Sequence, residues 1–197
     1  VRSRGKAHAA AINSQNNSKI IFNCDVDDII INNHNKWCKK NIGYVPKIEK
    51  DFRKLIENKN LDAVFIATPE HWHAHMTIMA SQAGKHVYIE KPCSHNLYEN
   101  ELLGVAQKKY GTKIQMGNQQ RSAITSILAI DEIRNGIIGD VYKGEAYYSN
   151  NRGSIGIGKM VPVPKFLDWD LWQGPAPRVQ YRTVSYTHLR AHETTDN

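Results

Sequence analysis

Ala67-Thr68-Pro69-Glu70-His71-Trp72-His73, with Ala83-Gly84-Lys85-His86-Val87-Tyr88-Ile89-Glu90-Lys91-Pro92 a short way on, is the stretch whose reading decides the fold. Its first part ends an apolar run at 61–67 (LDAVFIA), and its second contains another at 86–89 (HVYI). Such short runs, rich in β-branched and aromatic residues and bounded by turn formers, predict buried strands. Residues 73–83 between them read as a helix stopped by Gly84. Strand, helix and strand in that order make a βαβ unit, which implies parallel strands. Both chemistry-bearing clusters, Thr68 to His73 and Glu90 to Pro92, then follow the carboxyl end of a strand. Open α/β sheets place their ligands there.

The same pattern extends outward. Residues 19–24 (KIIFNC) and 113–116 (KIQM) predict two more strands. Residues 51–58 predict a helix with Phe52, Leu55 and Ile56 on one face, and Leu97–Tyr110 predicts a longer one stopped by Gly111. The alternation predicts an α/β, doubly wound parallel sheet covered on both faces and ending near Arg121. After Ser122 the character changes. An apolar helix at 123–134 and a strand-like 141–148 lead into 149–183, a loop-like stretch dense in Gly and Pro. Loops that long serve a site or an interface.

The first eleven residues, VRSRGKAHAAA, read as a glycine loop entering an Ala-rich helix. A dinucleotide loop needs close backbone approach to a pyrophosphate seated on the helix N-terminus. Gly5 supplies one glycine of the usual three, and Arg4 precedes it. Asp25 closes a predicted strand 20 residues after Gly5, where such a site wants a carboxylate for the adenosine ribose hydroxyls. A carboxylate there repels a 2′-phosphate, so NAD is expected rather than NADP. The competing assignment is that Asp25 or Asp27 caps the following helix.

Composition excludes several classes. The chain has 41% hydrophobic and 23% charged residues and no run long enough for a membrane span. Its net charge of +7 is scattered among acidic residues, with no basic-aromatic interleaving, so no nucleic-acid partner is expected. Cys24, Cys38 and Cys93 are too few and too far apart for a disulfide framework and read as free thiols. His71 and His75 share a helical face beside His73, but no third ligand or HExxH arrangement accompanies them, so no metal is expected. Trp169 and Trp172 read as packing the domain junction rather than stacking on a sugar.

Thr68-Pro69 through His73, followed by AGKHVYIEKP at 83–92, resembles the Gfo/Idh/MocA oxidoreductase family, whose hallmark is TPxxxH and then AGKHVxxEKP. The resemblance covers 1–183 and implies a Rossmann domain at 1–121 lacking its first strand. It implies that 122–183 begin a C-terminal α/β domain for substrate and homo-oligomer contacts. Residues 184–197 depart from the pattern and are similar to translated sequencing-adapter DNA, so they read as a non-native tail. The stretches around Tyr148 to Ser154 and Leu167 to Pro175 resemble a secreted bacterial branch, which leaves the compartment open between periplasm and cytoplasm.

By the same resemblance, Thr68, Pro69 and His73 line the cofactor with Arg4, Gly5 and Asp25. Glu90, Lys91 and Pro92 lie beside the nicotinamide, with the Lys91–Pro92 peptide often cis. Asn118, Gln120, Arg121 and Arg152 fall on the substrate side. The implied reaction is hydride transfer between NAD and a secondary hydroxyl of a sugar, polyol or glycoside. A proton must leave that hydroxyl as the carbonyl forms. A lysine held neutral by burial and by the positive ring can take it, so Lys91 is the expected base and Glu90 its neighbour in tuning. Two alternatives share the fold: a redox-neutral, NAD-retaining, glycoside-cleaving enzyme, and a nucleotide-sensing regulator without catalysis.

Overall fold

The computed structural model describes residues 1, 3–147, 149 and 156–183. Helix α1 (Ser3–Asn13) leads into strand β1 (Phe22–Cys24), helix α2 (Asp28–Asn41) and strand β2 (Lys47–Glu49). Helix α3 (Phe52–Ile56), strand β3 (Ala63–Ile66), helix α4 (Glu70–Gln82) and strand β4 (His86–Glu90) follow. Helix α5 (Leu97–Tyr110), strand β5 (Ile114–Gly117), a 3-10 turn (Gln119–Ser122) and helix α6 (Ile124–Arg134) complete the alternation. A last short helix, α7, spans Trp169–Gln173. Every strand pairing is parallel: β1 with β2, β3 with β4, and β4 with β5. The chain therefore has the expected α/β architecture of the Rossmann type.

Local chemistry explains the boundaries. Asp27 caps α2, its carboxylate accepting from the Ile29 and Ile30 amides at 2.8 and 3.0 Å. Asn96 caps α5, and Gly111 ends it with φ 67°, a backbone region that favours glycine. Burial of Val64, Ile66, Val87 and Ile89 against Phe52, Leu55, Ile56, Met76 and Ala80 makes the main core. Each such side chain, fully buried, contributes about 1.5–3 kcal/mol.

Strands β1 and β3 are not paired with each other. Between them runs a cavity of about 630 Å³, lined by β1 residues including Phe22 and Asn23, β3 residues including Val64 and Phe65, and His8 and Ile12 of α1. A smaller core of Leu167, Trp169 and Tyr181 packs Phe166 and Trp172 against Val26. Backbone bonds fasten it there, from the Asp28 amide to the Phe166 carbonyl at 2.9 Å and from the Asp168 amide to the Val26 carbonyl at 3.0 Å.

The strand expected at 141–148 is absent among the described residues of that stretch. Val141, Tyr142 and Tyr147 are exposed and no neighbouring strand offers a ladder, so the β-prone sequence has nothing to pair with. Tyr148 and 150–155 lie outside the described residues, as does the tail at 184–197. Among the described residues no helix is long and apolar enough to cross a membrane.

Candidate nucleotide site

Asp25 follows β1 directly, and Thr68 stands just beyond the end of β3. The two aspartates near β1 take different roles. Asp27 is the helix cap, whereas Asp25 accepts the Asp27 amide on Oδ1 at 3.1 Å and the Val1 ammonium on Oδ2 at 2.9 Å. A cavity of about 120 Å³ opens beside Asp25 and is walled by Val26, Arg53, Thr68, Trp72 and Trp172. Thr68 Oγ1 is buried there without a hydrogen-bond partner among the described residues. An orphaned hydroxyl and a carboxylate on one cavity match the donor and acceptor needs of a ribose. The cavity's two cationic side chains are already paired, Lys50 with Asp28 at 2.6 Å and Arg53 with Asp51 at 2.7 Å. The Arg53 guanidinium holds the Asp51 carboxyl below its ordinary range.

Helix α7 roofs this cavity. The Trp72 indole donates to the Leu171 carbonyl at 2.9 Å, and His71 Nε2 lies 3.0 Å from the Trp172 carbonyl. Gly174 (φ 53°) lets the chain pass so close to Trp72 that a Cβ would strike the indole. Trp169 and Trp172 stack on one another at 4.6 Å, the packing role expected of them.

The second cluster sits at the end of β4. Glu90 is buried, and its Oε1 accepts from Gln119 Nε2 at 2.9 Å. Arg4 Nε approaches the same oxygen at 3.5 Å and His8 Nε2 at 3.1 Å. Lys91 is exposed beside it, so the burial expected to help hold it neutral is not found and only the positive ring of a bound cofactor would act in that sense; the Lys91–Pro92 peptide is cis. His73 is buried and joins the two halves of the motif, with Nδ1 2.6 Å from the Pro92 carbonyl and Nε2 3.0 Å from the Thr68 carbonyl. Its ring thus holds the two strand-end loops at fixed separation, each nitrogen against main chain. His71, His73 and His75 turn to separate partners: the Trp172 carbonyl, these two carbonyls, and the Trp72 ring.

The other expected site residues are distributed as follows. Arg4 and Gly5 lie in the first turn of α1 rather than in a loop before it. Asn118, Gln120 and Arg121 are exposed just past β5, and Arg152 lies outside the described residues. Sequence reasoning passed over His8, Gln119 and Trp72, and did not place Trp172 on the cavity beside Asp25. His8 carried a usable signal, standing four residues after Arg4 on one helix face. The cysteines are free thiols, and burial pushes Cys24 up to about 12, which removes it as a nucleophile.

Parallel strands, a carboxylate directly after β1 and a glycine-bearing helix are features of a dinucleotide-binding Rossmann domain. Residues 3–118 match the model of the oxidoreductase family with an NAD-binding Rossmann fold, and the chain belongs to that family, Gfo/Idh/MocA. It is 32% identical over 117 residues to the uncharacterized oxidoreductase YrbE of Bacillus subtilis, covering 59% of this chain and 33% of that protein. It is 29% identical over 98 residues to an alpha-N-acetylgalactosaminidase of Shewanella oneidensis, covering 49% of this chain and 21% of the other. Among solved structures it resembles scyllo-inositol dehydrogenase of Lactobacillus casei with bound NAD(H) and scyllo-inositol. That match has a TM-score of 0.61 at 28% identity, over 71% of this chain and 40% of that one. The chain thus spans well under half the length of these relatives.

Proposed function

We propose that this chain is the nucleotide-binding part of an NAD-dependent dehydrogenase or reductase acting on a secondary hydroxyl of a polyol, sugar or glycoside. The observation that supports the reading is that Asp25, Thr68 and Glu90-Lys91 stand at the carboxyl ends of parallel strands, where open α/β sheets bind their ligands. Asp25 and the orphaned Thr68 hydroxyl lie at the ends of β1 and β3, and Glu90-Lys91 at the end of the adjoining β4. The nicotinamide, when bound, supplies hydride exchange. The protein's part is to hold the adenosine ribose at Asp25, receive the phosphates at the start of α1, and move the hydroxyl proton at Lys91 Nζ. Asp25 faces the 2′ position with negative charge, which favours NAD over NADP.

Residues 122–183 begin a second domain in this reading. Helix α6 buries none of its residues and exposes Ile124, Ile127, Leu128 and Ile130, an apolar face suited to a further domain or a second copy. The cavity between β1 and β3 is suited to one further parallel strand, completing a six-stranded sheet. The galactosaminidase resemblance favours a second reading, in which the same pocket oxidises and then re-reduces one sugar while a glycosidic bond is cleaved. Incubation with NAD and a panel of polyols and glycosides, followed at the NADH absorbance, tests the choice. Net NADH formation supports the dehydrogenase, aglycone release without NADH supports the second reading, and neither outcome on the whole panel removes both.

A further inference from the structure

Glu90 is held from a direction that the strand-end motif does not predict. Arg4 and His8 stand one helical turn apart on α1, the helix whose first turn carries Gly5, and both reach the Glu90 carboxylate. The His8 ring lies against Phe65 and Tyr88, at centroid distances of 5.7 and 5.1 Å. Its Nε2 is 3.1 Å from Glu90 Oε1 but off the line of a well-formed hydrogen bond. Gln119 occupies the other approach to that oxygen. We propose that His8 and Arg4 are positioning residues that orient Glu90 from helix α1, so that cofactor engagement at the start of α1 is transmitted to the carboxylate beside Lys91. The importance of Glu90 for turnover rests on the proposed dehydrogenase reading; the physical link between α1 and Glu90 does not.

The chemistry of the pair follows from its surroundings. The charged and titratable groups facing His8 are Glu90 and Tyr88 on β4, Arg4 on its own helix, and the Val1 ammonium. Burial lowers the imidazole below its ordinary range, with Arg4 and the ammonium in the same sense and Glu90 opposing. At neutral pH the ring is therefore uncharged and stands beside Glu90 as a neutral donor that is not yet aligned. A small rotation of α1 on binding phosphates aligns that donor, as site hydrogen bonds tighten in complexes. A neutral amide can substitute for it and an alkyl group cannot.

The test uses the complete protein, including its second domain, and two readouts. First, the His8 Cε1–H resonance is titrated by NMR with and without NAD, in wild type and in Glu90→Gln. The expected result is a His8 titration midpoint that falls further in Glu90→Gln, and an NAD-induced His8 shift that this variant loses. An unchanged midpoint together with no NAD-induced shift overturns the proposal. Second, NADH formation from scyllo-inositol as the probe is measured for His8→Leu and His8→Gln. His8→Leu should lower kcat at least tenfold with KM for NAD within threefold, and His8→Gln should restore most of that loss. Equal loss in both variants, or loss only through KM for NAD, overturns the positioning role. If wild type does not turn over the probe while the NMR coupling is present, the dehydrogenase reading fails and the α1–Glu90 link stands.

Discussion

Lys91 and Glu90 are adjacent in sequence but meet opposite environments, and that difference sets what each can do. Glu90 is buried among Gln119, His8 and Arg4, whereas Lys91 is exposed at the strand end. If Lys91 takes the proton, Lys91→Ala should lower kcat by about 10²–10⁴ while NAD affinity changes little. Lys91→Arg should fail to rescue, because arginine keeps its proton near neutral pH. Steady-state kinetics of both variants on a turned-over polyol, with NAD affinity measured separately, check this; full rescue by arginine would show a fixed charge instead. At this scale the sequence was legible where spacing carries meaning. Asp25 directly follows β1 and EKP stands at the end of β4, as the spacing predicts. The Asp25/Asp27 ambiguity was not resolvable from sequence, since either carboxylate suits a cap. In the folded chain the capping role falls to Asp27, which bonds the first turn of α2. Gln119 escaped notice because a side chain's reach across a sheet leaves no mark in local pattern.

Among the elements, α2 and α7 make the clearest claims. The cap at Asp27 satisfies two amides, so Asp27→Ala should cost about 0.5–2 kcal/mol of stability, read from chemical denaturation. Helix α7 is fastened to the nucleotide domain at Trp72, and Gly174 is what permits that approach. Gly174→Ala combines a strained backbone with a clash, a penalty on the order of 1–3 kcal/mol or more. It should shift Trp fluorescence and weaken NAD binding; unchanged emission and affinity would mean α7 does not shape the cavity. Helices α4, α5 and α6 and the apolar strands were readable from their composition and their stop signals, whereas α2 was foreseen only as an unbounded helix after Asp27. Strand β2 (Lys47–Glu49) was not, because only its pairing with β1 makes it a strand. Helix α7 was likewise hidden, being five residues long inside a Gly- and Pro-rich stretch.

The molecule as a whole is defined by two blocks of parallel strands with a cavity between them, and by a few ionisable groups inside. His34 is fully buried, its Nδ1 lacks a partner among the described residues, and burial pushes its pKa down to about 4. As pH falls from 6.5 towards 4, the unfolded chain gains a proton there that the folded chain refuses. Stability is therefore retained above pH 6.5 and lost through that window, by on the order of 2–3 kcal/mol. Urea unfolding at pH 7 and 4.5 should show the loss, and His34→Phe should reduce it; an equal loss in the variant would assign it to other groups. The most direct test of the nucleotide site is calorimetric titration of NAD and NADP into wild type and Asp25→Ala. The expected result is NAD bound at least tenfold more tightly than NADP, with Asp25→Ala weakening NAD by about 1–3 kcal/mol and narrowing the preference. Equal affinity for the two cofactors, unchanged by Asp25→Ala, would contradict it.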